Sequence, residues 1–220
     1  MVEPQAIADS LIASFDRSHF GASPYRHWLP EGLLPIDVCD ALDALPVTVP
    51  KIEDTQGRRE THNSTRLFFG VEARQRHAVC DALATALQGE PVVSRLERLC
   101  DVDLRAGHLR IEYCLDTDGF WLEPHTDIGA KLFTLLIYLS HGPGAEELGT
   151  DLYADPAQAP IGRAPAPFDS GLAFVPASDT WHGFVRRPIA GLRQSVIVNY
   201  VVPEWRSRHE LAFPEEPVGQ

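Results

Sequence analysis

Apolar positions recur at helical spacing through the first hundred residues, then at every second position or in short unbroken runs through the next hundred. Residues 6–15 and 35–45 predict amphipathic helices, the second with Pro35 near its start and Pro46 at its end. Residues 71–87 predict a longer amphipathic helix stopped by Gly89 and Pro91, and residues 92–99 a further short one. Between these lies 51–69, polar and turn-rich. Such a connection is a lid or binding segment, or else a solvated loop, and the pattern favours neither. After residue 103 short β runs take over, at 109–113, 132–139, 171–175, 183–185 and 194–201. Clusters such as His141-Gly142-Pro143-Gly144 and Pro176-Ala177-Ser178-Asp179 divide them, and 156–167 is a Pro- and Ala-rich irregular loop. The expectation is one α+β domain over 1–220. Residues 1–103 supply mainly helical support with 51–69 as a candidate lid, 104–203 form a sandwich or barrel, and 204–220 form a tail.

Composition narrows the partners. The formal net charge is −12, which argues against nucleic acid, because such binding depends on Lys and Arg neutralising phosphates. Cys39, Cys80, Cys100 and Cys114 are scattered without a C-x-x-C pair, so they read as apolar thiols in a reducing compartment. No basic segment followed by an apolar run opens the sequence, and the longest apolar stretch, near 132–139, is far too short to span a bilayer. A soluble cytoplasmic protein without a membrane partner is expected. Nothing in the pattern bears on oligomeric state.

The chemistry concentrates in two segments. In Trp121-Leu122-Glu123-Pro124-His125-Thr126-Asp127, His125 and Asp127 are two apart, so an extended backbone sends both side chains to one face. His182, after the turn at 176–179, begins a strand and can bring a third ligand. Two imidazoles and one carboxylate suit iron or another first-row divalent ion, whereas structural zinc more usually takes thiolates. Taken singly, His-x-Asp is a surface hydrogen-bonded pair and His182 a core histidine; the order of the three is what points to a metal. On the last β run Arg193, Ser195, Ile197 and Asn199 share a face. A guanidinium fork with a hydroxyl two residues on suits a carboxylate, although an Arg at a sheet edge has the same pattern. Thr134 and Tyr138, alternating on 132–139, could bond the same ligand or be satisfied by backbone.

His125-x-Asp127, His182 and Arg193-x-Ser195 resemble the signature of the Fe(II)- and 2-oxoglutarate-dependent oxygenases, in a layout like that of the prolyl hydroxylases. The resemblance covers about 109–202. It includes Gly119, the segment 148–153 and Gly171-Leu172-Ala173-Phe174-Val175-Pro176. It implies a double-stranded β-helix (jelly-roll, cupin-like) core with N-terminal helices packed on one side. It also implies Fe(II) held by His125, Asp127 and His182, and 2-oxoglutarate held by Arg193 and Ser195 with Thr134 and Tyr138 nearby. O2 would be the third reactant, with succinate and CO2 as products. Because the carboxylate of Asp127 is present, where the halogenases of this superfamily have a small residue, hydroxylation is the implied outcome. Many prolyl-hydroxylase-like members carry Lys where Arg193 stands, so a prolyl substrate does not follow. The expected substrate is a small molecule, amino-acid-like or a natural-product intermediate. The alternatives are hydroxylation of a residue in a protein or peptide, and a non-catalytic jelly-roll that binds a metal or carboxylate.

Substrate determinants are less defined. Arg58, Arg59, His62 and Arg66 form the one concentrated basic segment and could draw an acidic substrate. Trp181 adjoins His182 and should turn to the opposite face, while Pro124 leaves the direction of Trp121 open. His108, Arg110 and Glu112 alternate on the first β run, and the pattern does not fix whether they face inward.

Overall fold

A computed structural model of the chain describes residues 3–58 and 66–220. Helix α1 (Pro4–Asp16) has Pro in its first turn and buries Ile7, Leu11, Ser14 and Phe15 along one stripe. Short strands β1 (His19–Gly21) and β2 (His27–Leu29) follow, then α2 (Ile36–Asp43) and β3 (Arg66–Phe68). The stretch expected as one long helix is two, α3 (Val71–Arg76) and α4 (Ala78–Gln88). His77 takes an extended conformation between them (φ −128°, ψ 108°). The cause is an apolar stripe that does not continue across the join, since α3 buries Ala73 alone while α4 buries Val79, Cys80, Leu83 and Leu87 among others. Helix α5 (Glu90–Cys100) completes the helical layer.

The remaining strands are β4 (His108–Asp116), β5 (Leu122–His125), β6 (Lys131–Tyr138), β7 (Asp151–Leu152), β8 (Gly162–Arg163), β9 (Ser170–Phe174), β10 (His182–Phe184) and β11 (Arg193–Val201). They form a seven-stranded sheet ordered β1-β2-β9-β6-β11-β4-β3 and a four-stranded one ordered β5-β10-β7-β8. All the pairings are antiparallel. The architecture is a double-stranded β-helix. Three strands of the larger sheet come from residues before 103, and three residues each left them no alternation to read.

Period-two alternation divides the large sheet into two unlike faces. Leu109, Ile111, Phe133, Leu135, Val196 and Val198 belong to one apolar core with the helices, including Leu11 of α1, Leu83 of α4 and Leu96 of α5. The alternate residues Arg110, Glu112, Thr134, Leu136, Ile197 and Arg193 line a cavity of about 620 Å³ reached by both sheets.

The C-terminal segment is no loose tail. Leu211 bridges to Arg110, Ala212 donates its N–H to the Leu109 carbonyl at 2.9 Å, and Val218 bonds Gly107. Leu211, Ala212 and Val218 are buried. Among the described residues, no helix is long and apolar enough to cross a membrane.

Candidate metal centre and cavity

The turn that delivers the first candidate ligand is sterically exacting. Phe120 N–H closes it on the Thr117 carbonyl at 3.1 Å, and Gly119 sits at φ +97°. A Cβ there would lie 2.6 Å from the Glu53 carbonyl oxygen, so both conformation and space require glycine. Strand β5 then ends at His125, and Asp127 lies in the loop before β6.

His125 and His182 are direct cross-strand partners on β5 and β10, with ring centroids 4.4 Å apart. Each ring places Nδ1 against a backbone carbonyl two residues earlier, His125 on Glu123 at 2.8 Å and His182 on Thr180 at 2.9 Å. A carbonyl can only accept, so Nδ1 carries the proton and Nε2 keeps its lone pair for a metal. One ligand atom from each of His125, Asp127 and His182 lies within 4.8 Å of the other two. Metal ligation needs neutral imidazole and ionised carboxylate, and the electrostatics deliver both. Burial, assisted by the neighbouring His125, lowers His182 to about 4. Burial alone would raise Asp127, but Lys131 and His182 and the hydrogen bonds from Lys131 and Thr134 outweigh it, holding the carboxyl at about 2. Lys131 Nζ meets Oδ1 and Thr134 Oγ1 donates to Oδ2, each at 2.6 Å.

Arg193 is buried on the same cavity. Its Nε donates to the Leu148 carbonyl at 2.9 Å and its Nη1 to Asp116 Oδ2 at 2.6 Å, while the Phe184 ring lies 4.7 Å from the guanidinium carbon. Nη2 has no hydrogen-bond partner among the described residues, so one arm of the fork remains for a ligand. Ser195, one turn of the pleat away, is wholly buried, and its hydroxyl has no partner among the described residues. An orphaned buried hydroxyl is costly unless a ligand satisfies it, and here it adjoins an incompletely used guanidinium. Tyr138 and Thr150 bond each other at 2.8 Å. Thr134 is spent on Asp127 and also accepts from Asn199.

At the mouth the cavity is lined by Arg58, Arg66, Arg110 and Glu112, with Trp205, His209 and Glu210 from the C-terminal segment. Arg66 and Arg110 both pair with Glu112, at 2.9 and 3.0 Å. Arg110 and Glu112 therefore face inward, whereas His108 turns to the Phe213 carbonyl at 3.3 Å and does not line the cavity. Trp121 donates to Asp54 at 2.6 Å, and neither it nor Trp181 lines the cavity. Arg59 and His62 lie outside the described residues. Sequence reasoning missed Lys131, Asp116, Thr150 and the C-terminal wall. Lys131 stands four residues past Asp127 and could have been noticed; the others come from segments without a local signal.

No protein-family model and no curated protein matches the chain. Solved structures do share its fold. A prolyl 4-hydroxylase from Phytophthora capsici superposes with a TM-score of 0.61 at 13% identity, over 93% of this chain and 67% of that one. A prolyl hydroxylase from Trichoplax adhaerens, in complex with a hypoxia-inducible-factor oxygen degradation domain peptide, gives 0.55 at 12%, over 93% of both chains. A prolyl-4-hydroxylase from Pseudomonas putida gives 0.53 at 14%, over 89% of this chain and 94% of that one. At these identities the likeness speaks to fold.

Proposed function

We propose that the chain is an Fe(II)- and 2-oxoglutarate-dependent dioxygenase that hydroxylates an unactivated C–H of a small molecule, amino-acid-like or a natural-product intermediate. The convergence of His125, Asp127 and His182 within 4.8 Å, both imidazoles offering Nε2, carries the reading. Iron(II) held by those groups would supply O2 activation, with 2-oxoglutarate as the reductant that leaves as succinate and CO2. Everything else is the work of the chain's own side chains and backbone carbonyls. Carbonyls of Glu123 and Thr180 fix the imidazole tautomers; Lys131 and Thr134 keep Asp127 ionised and aimed. Arg193 Nη2 and the Ser195 hydroxyl would take the distal carboxylate of the cosubstrate, with Asp116 and Leu148 holding the guanidinium still. Phe184, Leu136 and Ile197 give the cavity lining apolar surface.

The C-terminal segment bears on a small substrate, because Trp205, His209 and Glu210 add to the cavity lining and Leu211 ties that segment to Arg110. The peptide bound to the Trichoplax relative keeps a polypeptide substrate as the second reading. Four buried thiols, none of them in a disulfide, favour a reducing, cytoplasmic setting. Succinate formation under air separates the readings. Turnover with free amino acids or related metabolites supports the proposal, turnover with polypeptides alone supports the second, and succinate with none favours a non-catalytic binding module.

A further inference from the structure

A single register row crosses the inner face of the large sheet. Thr134, Asn199 and Arg110 are direct cross-strand partners on β6, β11 and β4, and they are only 2%, 0% and 7% exposed. Arg110 Nη1 donates to Asn199 Oδ1 at 3.2 Å, Asn199 Nδ2 donates to Thr134 Oγ1 at 2.9 Å, and Thr134 Oγ1 donates to Asp127 Oδ2 at 2.6 Å. All three bonds point the same way, and the ends explain why. A guanidinium can only donate and an ionised carboxylate can only accept. Between them neither the Asn199 amide nor the Thr134 hydroxyl can reverse without breaking two bonds. A chain polarised in one direction in a buried setting strengthens each link and rigidifies its members.

Two further features set the row apart from ordinary sheet packing. Its neighbours on the opposite face, Val198 and Tyr200 on β11 and Phe133 and Leu135 on β6, are apolar or aromatic, so a buried Asn–Thr pair here is not a packing necessity. The far end, Arg110, lies on the cavity wall. There Arg110 is gripped by Glu112 at 3.0 Å and Glu210 at 2.5 Å, between the rings of Phe68 and Trp205.

We infer that Thr134 and Asn199 are positioning residues that aim the Asp127 carboxylate at its metal, and that the row ties this carboxylate to Arg110 at the mouth. The inference rests on the reading of Asp127 as a metal ligand. Outer partners of metal ligands commonly control affinity by about 10–100-fold, so the direct observable is metal binding rather than turnover.

Mn(II) titration followed by electron paramagnetic resonance, with melting temperature recorded for each variant, tests it on the full chain. Thr134→Val, which keeps the shape but deletes the donor, should weaken Mn(II) binding by about tenfold or more. Thr134→Ser, which keeps the hydroxyl, should restore it to within about twofold. Asn199→Leu should weaken binding severalfold in the wild-type background and add little on top of Thr134→Val, because both cut one chain. Thr134→Ala serves as the small alternative should the valine variant fold poorly. Wild-type binding that needs Asp127 but is indifferent to Thr134→Val, Thr134→Ala and Asn199→Leu would overturn the inference alone. Absence of Mn(II) binding in the wild type would overturn the metal reading and this inference with it.

Discussion

The two faces of the seven-stranded sheet are made by the same strands, yet they are different materials. Toward the helices, Leu109, Ile111, Phe133, Leu135, Val196 and Val198 pack into an apolar core. Toward the cavity, Arg110, Glu112, Thr134, Ser195, Asn199 and Arg193 are just as buried but polar or charged. Apolar burial is stabilising wherever it occurs. Buried polar groups stabilise nothing unless each finds a partner, and an ion pair in such a place often costs more than it returns. The helix-facing side therefore explains why the chain folds. The cavity-facing side is a network of hydrogen bonds and ion pairs in which the buried Ser195 hydroxyl has no partner among the described residues.

Substitutions on the two faces should separate accordingly. The largest effect is expected at the proposed metal ligand Asp127, where Asp127→Ala should abolish succinate formation while circular dichroism still reports a folded chain; persistent turnover would remove Asp127 from the ligand set. Next, Arg193→Ala should weaken 2-oxoglutarate binding by on the order of 2–5 kcal/mol, read as the concentration needed for half-maximal turnover. It should also lower the melting temperature, because Asp116 is left buried without its counter-charge. An unchanged cosubstrate requirement would assign the carboxylate to another residue. On the opposite face, Ile137→Val should cost roughly 0.5–1.5 kcal/mol of stability and leave Mn(II) affinity unaltered. A shift in metal binding there would mean that the faces are mechanically coupled.

The smallest effect lies away from both. Burial raises Asp169 to about 6, against hydrogen bonds from the backbone of Leu34 and Leu33. Since its folded value lies above the ordinary carboxylate value, its protonated form favours the fold. Its contribution is therefore greatest below about pH 4 and is lost as pH rises through about 6. Asp169→Asn keeps an acceptor for the Leu34 N–H and should flatten that part of the stability profile by less than about 1 kcal/mol, as expected for a partly exposed group. Denaturant midpoints at pH 4, 5, 6 and 7 would show it, and an unchanged slope would exclude Asp169 as the source.

What the sequence made legible follows the same division. Long strands with one apolar face declare themselves by alternation, so β4, β6, β9 and β11 were readable and the helical layer with them. The candidate metal ligands, which the structure brings within 4.8 Å of one another, were readable because chemistry confines such a set: two residues apart at the end of a strand for His125 and Asp127, and after a turn for His182. Pairings between distant segments left no local trace. Nothing near Arg193 announces that Asp116, its cross-strand partner on β4, will hold its Nη1. Nothing in 204–210 announces that Trp205 and Glu210 will flank Arg110. The break at His77 was hidden because the residues around it remain good helix formers, and only the missing buried stripe on α3 stops the helix.

The most direct test is optical. Under anaerobic conditions, wild-type protein mixed with Fe(II) should develop a weak visible charge-transfer band only when 2-oxoglutarate is added, at one equivalent of each, and Asp127→Ala should develop none. A wild-type chain that stays colourless under those conditions, with its fold intact, would contradict a shared iron and 2-oxoglutarate site at His125, Asp127 and His182.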